Sequence, residues 1–299
     1  MSFKKYTPKE LYAQGIHFHT VEELLNEDYS LERLDPYSYR SVELLSKEPP
    51  DWFGLPESTR QEDIAPTIER YAREGSPEIA AHIENCFREM RNAVKITAVR
   101  RKKVKTMSDF GTEVHMDRIY AGDMDKAWRS SRRVMVQANT PPKRIVIAVP
   151  LGGLCNVPAE ELFWQGATAC FLAQELMTAG YSVGIVGYSA SYGCNADWRG
   201  GHYIVSVTVK EMHRKANMAA IAGCLGCPGF FRWLLLRARA LQGYRVARNF
   251  GWTAYARGLP PEALDRQAQI LQMPVVRSLH QARHYLTTAV EELHVGAAA

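Results

Sequence analysis

The least interrupted apolar run in the chain is RIVIAVPL at 144–151, rich in β-branched residues and predicting a strand buried on both faces. A loop, GGLCN, follows it. Pro158 then opens AEELFWQGATACFLAQELMTAG, whose amphipathic spacing predicts a long helix closed by Gly180. YSVGIVGYSA at 181–190 predicts a second buried strand and HYIVSVTVKE at 202–211 a third. Strand, helix and strand in succession make a βαβ unit, which is parallel and right-handed in nearly all proteins. Two helical stretches come next, MAAIAGCLG and GFFRWLLLRARALQ, divided at Cys227-Pro228-Gly229. MPVVRS at 273–278 predicts a late strand and LHQARHYLTTAVEEL a closing helix. This alternation predicts an α/β fold with a Rossmann-like, doubly wound and mainly parallel sheet.

The N-terminal part reads differently. Thr20 and Glu23 form a capping box ahead of VEELLNE, one short helix in an otherwise polar arm. KEPPDWFGLPEST interrupts any regular element. Ile64, Ile68, Ile79, Ile83, Phe87, Met90 and Val94 then recur at helical spacing, and Gly75-Ser76-Pro77 divides them into two helices with Ser76 as N-cap and Pro77 as first residue. RRKKVK at 100–105 is a basic run. GTEVHMDRIYAG after it predicts a short strand ending in a turn at Gly122-Asp123. The division expected is a helical N-terminal region and arm over 1–106 and an α/β domain over 107–299.

Composition keeps the chain in the globular class, with 46% apolar and 23% charged residues among 299. The opening MSFKKYTPKELYAQGIHFHT has no secretory pattern. FWQGATACFLAQELM carries polar residues at helical intervals and FFRWLLLRARALQ carries three arginines, so neither predicts a membrane span. A cytoplasmic protein without membrane association is expected. The six cysteines are irregularly spaced, which predicts reduced thiols. Charge changes the picture more. Residues 1–90 hold 10 Lys and Arg against 18 Asp and Glu, leaving 27 against 14 of the totals 37 and 32 for the rest. A basic part of that size implies docking on the acidic third or contact with a polyanion.

The strand–loop–helix–strand unit at 144–190 resembles a von Willebrand factor A domain. The chain is similar, more closely, to uncharacterised phage and prophage proteins with a degenerate form of that domain. The stretches that carry the likeness are Asp117–Gly122 with Trp128, Gly166–Tyr181, Val207–Lys210, and Cys227-Pro228 with Phe231-Arg232, within residues 110–299. The family holds a divalent cation through Asp-x-Ser-x-Ser at the end of its first strand. Here the corresponding positions are Pro150, Leu151, Gly152, Gly153 and Leu154, without a carboxylate or hydroxyl. A hard cation needs oxygen ligands, so the resemblance implies the fold without its metal. What remains is a ligand or partner loop of Pro150, Gly152, Gly153 and Asn156 at the C-terminal edge of the sheet, where open α/β sheets hold ligands.

Other candidate chemistry is sparse. Gly152-Gly153 could cradle an anion, yet neither dinucleotide nor P-loop spacing is present. Cys224-x-x-Cys227 has zinc-knuckle or redox spacing but lies in apolar surroundings without a second pair, which favours structural thiols. His17-Phe18-His19 and the pair His280/His284 lack the companions of a metal site, and no nucleophile motif appears. No cofactor is expected, nor catalysis. The basic residues Arg100, Arg101, Lys102, Lys103, Arg129, Arg132 and Arg133 remain, with Arg237, Arg239, Arg245 and Arg248 interleaved with aromatics. Arginine with exposed rings suits single-stranded nucleic acid, whereas an amphipathic helix with solvated arginines would look the same. Two functions are therefore expected. The first is a non-catalytic interaction or assembly protein of phage or mobile-element origin, acting through protein partners. The alternative is binding of RNA or single-stranded DNA by the basic half.

Overall fold

The run at 144 does become a buried strand, and the larger sheet is arranged about it. The computed structural model describes residues 15–91 apart from 31 and 35, and then 101–108, 113–122, 126–135, 144–152, 156–192, 202–241 and 268–298. Strand β5 (Arg144–Pro150) lies between β6 (Ser182–Tyr192) and β8 (Gln269–Gln272) and is parallel to both. Strand β7 (His202–Lys210) runs antiparallel to β6, and β1 (Gly15–Phe18) pairs parallel with β7 at the edge. The order is β1-β7-β6-β5-β8 in a mixed, mostly parallel sheet. Alternate residues of β5 serve different cores. Ile145, Ile147 and Val149 enter the main one, while Val146 and Ala148 join a smaller cluster with Val186, Tyr188, Ala190 and Ile204. Burial on both faces is why the sequence shows a continuous apolar run rather than alternation.

Helix α1 (Val21–Leu25) starts as expected, with Thr20 Oγ1 accepting from Glu23 N at 3.1 Å and Glu23 accepting from His19 N at 2.7 Å. Helix α2 (Pro36–Leu45) follows. Helices α3 (Ile64–Glu74) and α4 (Pro77–Arg91) are divided at Gly75-Ser76, and Ser76 Oγ caps Ile79 N at 3.2 Å. These helices do not form a region of their own. Phe53, Ile68 and Met90 share one core with Phe171, Val205 and Leu235. The chain therefore does not divide at residue 106. One compact unit comprises 1–96, 143–177 and 181–299, and a second comprises 97–142 with 178–180.

In the second unit the basic run is a strand, β2 (Arg101–Ser108), followed by β3 (Glu113–Val114), helix α5 (Met116–Tyr120) and β4 (Trp128–Met135). They form an antiparallel sheet of order β2-β4-β3. Of the short strand expected at 111–122, only Glu113–Val114 is a strand among the described residues, since α5 occupies Met116–Tyr120. In the first unit, α6 (Ala159–Thr178), α7 (Met218–Gly226) and the closing helix α9 (Leu279–Ala298) match expectation. Phe230–Leu235 is π-helical and runs into α8 (Leu236–Ala240). MPVVRS is not a strand. After Met273 N donates to Ala148 O at 2.9 Å, the Gln165 side chain takes the backbone of Pro274 and Val276 (3.1 and 2.6 Å) in place of a ladder partner.

Among the described residues no single helix is long and apolar enough to cross a membrane. The apolar pair Met218–Gly226 and Phe230–Ala240 is bent by 65°, and most of its side chains are buried in the core.

Backbones approach closely where α7 crosses its neighbours. A Cβ on Gly166 would overlap the Leu225 carbonyl oxygen, and one on Gly223 the Tyr71 carbonyl oxygen. Gly166→Ala is expected to lower unfolding free energy by about 2–3 kcal/mol in urea denaturation, because backbone must move. Gly184→Ala is the control. Its Cβ would meet neighbours at an ordinary 3.7 Å, so a change within about 0.5 kcal/mol is expected.

Candidate nucleic-acid interface

In an antiparallel ladder, directly paired residues share a face and successive residues alternate between faces. Strands β2 and β4 pair Arg101 with Met135, Lys103 with Arg133, Lys105 with Ser131 and Met107 with Arg129. Arg101, Lys103, Lys105, Arg129 and Arg133 therefore occupy one face of the small sheet. Lys102 and Arg132 fall on the other, with Val104 and Val134. Two runs more than twenty residues apart in sequence are thus one cationic surface.

Charged side chains leave water only when they are paired, so a face with five cationic positions calls for solvent or counter-charge. That face is not neutral in energy, since the like charges of Lys103 and Arg133 are direct partners across the strands. Lysines on the edge strand β2 also guard against edge-to-edge pairing. The central strand β4 needs no such guard, yet it carries Arg129, Arg132 and Arg133. At that end the register sets Glu113 opposite Arg129.

The arginines of the apolar helix are placed otherwise. Arg239 is completely buried, and burial draws its pKa down to about 9. Arg237 lies between the rings of Tyr29 and Trp233, at 4.2 and 4.6 Å from their centroids, and pairs with Glu69 at 3.5 Å. Burial lowers its pKa too, opposed by Tyr29 and Glu69. Arg232 donates to the carbonyl oxygens of Trp52 and Val157. Phe230 and Phe231 are buried as well. This corrects the expectation for Arg237 and Arg239, which are core groups and not a phosphate-facing row. Arg100, Arg245 and Arg248 lie outside the described residues.

Leu151 N donates to Tyr188 O at 2.7 Å, and Leu151 is buried. The cavity bounded by Leu151, Gly152, Leu162, Gln165 and Phe231 measures about 20 Å³, room for about one water. Pro150 and Gly152 are half-buried and Asn156 is exposed, while Gly153 lies outside the described residues.

The thiols of Cys170, Cys224 and Cys227 are buried, with Cys224 facing Ala72 O at 3.5 Å and Cys227 facing Phe53 O at 3.9 Å. Burial pushes Cys170 up to about 12, Cys227 up to about 11 and Cys224 higher still. Among the described residues no group of three or more His, Cys, Asp or Glu is placed to hold a metal. His17 sits against Ser206 Oγ at 2.9 Å and Thr208 Oγ1 at 3.4 Å, and His280 and His284 are exposed on α9. A cleft of about 550 Å³ lined by Leu55, Ile79, His82 and Phe163 had no sequence signal, because its walls come from distant segments.

Fold and site together define a mixed α/β protein with a small, basic, antiparallel sheet as a second unit. Within that class, the model of a domain of unknown function, DUF7192, matches residues 16–295, and the chain belongs to this family. No curated protein and no solved structure matches it.

Two outcomes are expected from this placement. Arg239→Glu should lower unfolding free energy by about 3–5 kcal/mol or prevent folding, read by denaturant titration, because it buries a carboxylate where a guanidinium is accommodated. In native protein at neutral pH, Cys170, Cys224 and Cys227 should stay unreactive toward a thiol reagent and react only on unfolding, since the thiolate is the nucleophile.

Proposed function

We propose that the protein binds RNA or single-stranded DNA through the basic face of the β2–β4 sheet. One observation carries this reading: the register sets five cationic positions on one face, two of them in direct opposition, an arrangement that a polyanion relieves. Phosphates supply the charge, and successive same-face positions on a strand stand about 6.6 Å apart, comparable to one backbone repeat of an extended nucleic-acid strand.

Within this proposal the larger unit is a Rossmann-like, von Willebrand A-like domain with a degenerate metal site, of the phage or mobile-element kind, working in the cytoplasm. Support comes from the parallel β5–α6–β6 unit, with β5 inside the sheet, and from a loop after β5 that lacks carboxylates.

A second reading, assembly with a protein partner, is favoured by α2. There Tyr37 and Leu44, two turns apart on one helix face, remain 42% and 53% exposed.

The test is fluorescence anisotropy of the full chain with labelled single-stranded RNA and DNA across a salt series. Binding should weaken with salt at a slope of about −3.5 in log K against log salt if all five cations contact phosphate. Lys103→Glu and Arg133→Glu should each cost about tenfold in affinity and flatten the slope by about one. Folding stability should be unchanged or raised, since each variant turns an opposed like-charge pair into an ion pair. Absence of binding at low salt would sink the proposal and leave the assembly reading, to be followed by partner capture with Tyr37→Ser and Leu44→Ser as controls.

A further inference from the structure

Two helices begin at the cleft of about 550 Å³ in the larger unit, a volume in the range of small-molecule sites. The first turns of α4 and α6 both line it, and each brings a carboxylate, Glu78 and Glu160. One helical turn further along stand two rings, His82 after Glu78 and Phe163 after Glu160. The rings meet at 4.5 Å between centroids, inclined by 57°. Leu55, Ile79 and Pro228 complete an apolar wall.

A helix N-terminus carries about half a positive charge and each carboxylate a full negative one, so two of each leave the cleft negative by about one charge. Among the described residues no lysine or arginine lines it. Neither Glu78 nor Glu160 has a salt-bridge partner among them. Ser76 Oγ accepts from Ile79 N at 3.2 Å and donates to Glu78 Oε2 at 2.9 Å, which fixes the place of that carboxylate. Its own backbone N–H and the Ser76 hydroxyl hold the Glu78 carboxyl below its ordinary pKa, so it is ionised at neutral pH.

Phosphates and other anions are therefore disfavoured in this cleft. A bare metal ion gains little from rings and aliphatic walls, since hard cations need oxygen ligands. An ammonium group joined to a hydrocarbon body suits both features. Its charge meets the carboxylates, its body lies against the apolar wall, and a cation gains further from an aromatic face.

We propose that this cleft binds a small organic ammonium ion, with Glu78 and Glu160 meeting the charge and the His82–Phe163 pair covering the hydrocarbon body. The site stands apart from the nucleic-acid reading. Its failure leaves the basic sheet untouched, and failure of that reading leaves the cleft untouched.

The experiment titrates three probes into the full chain by isothermal titration calorimetry at millimolar concentration. They are 2-phenylethylammonium, 3-phenylpropionate with the same ring and the opposite charge, and butylammonium with the same charge and no ring. The first should bind about tenfold or more tightly than either of the others. Glu78→Gln and Glu160→Gln should each weaken it by about threefold to tenfold, and His82→Ala by about threefold. All three side chains are exposed, so these variants leave the core intact and should melt close to the parent temperature. Absence of 2-phenylethylammonium binding would overturn the proposal. So would affinity no greater than that of 3-phenylpropionate or butylammonium, or binding unmoved by both glutamine variants.

Discussion

A guanidinium taken out of water needs acceptors for its N–H groups, and Arg232 finds two of them in the carbonyl oxygens of Trp52 and Val157. Its charged group also stacks on the Trp52 indole, 4.4 Å from the ring centroid. These contacts bind three distant pieces of chain: the turn ahead of α3, the loop entering α6 and the π-helical turn at 230–235. Moving any of them would strand a buried charge, a loss of several kcal/mol. The wide π-helical turn is where this happens, and single π turns tend to occur where a side chain must be aimed at a demanding site. From there the rest of the larger core follows. With α7 and the π-helical turn fixed, the glycine contacts at Gly166 and Gly223 bring α6 and α3 against them.

That arrangement accounts for what was legible in the sequence. Elements whose burial agrees with their own period could be read directly. Strands β5 and β6 are buried on both faces, α4 carries its stripe at helical spacing, and Ser76-Pro77 holds a cap that local chemistry alone specifies. Failures came where a neighbour overrides local pattern. GIHF in β1 has too few residues to show a period, and its pairing with β7 is supplied from the far end of the chain. At 273–278 the apolar, β-branched character is real, but a single amide from Gln165 takes the backbone groups that a strand would need. The boundary near 106 was misplaced for a related reason. A run of lysines and arginines shows no readable period until its antiparallel partner is known.

The arginines make the same point with one residue type. In GFFRWLLLRARALQ the helix is buried almost all round, so the amphipathic reading had no solvent face to give them. Sequence alone could not say so, because an arginine at helical spacing looks identical whether it snorkels to water or stacks between Tyr29 and Trp233. On β2 and β4 the same chemistry has the opposite outcome. A strand alternates faces, so the register of the two strands gathers cationic positions on one face of the sheet. The candidate site was therefore half visible: its residues were present in the basic runs at 101–103 and 129–133, whereas their union on one face depended on the pairing register.

That union has an energetic consequence for the small sheet. Three strands and one short helix bury little apolar area, so the unit has a thin margin of stability of its own. Opposed like charges subtract from it, by tenths of a kcal/mol to about one for each pair. Salt screens that repulsion within about 10 Å at moderate ionic strength. An anionic polymer removes it more effectively by placing charge directly on the face, and a ligand that binds only the folded sheet stabilises it by mass action. On the proposed reading salt and polymer would both relieve the repulsion that opposes folding, while salt would weaken the binding of the polymer by screening the lysines. Opposed like charges are the cost that the proposed polyanion site would carry when empty. A purely structural sheet of this size would gain by exchanging Lys103 or Arg133 for an acidic residue.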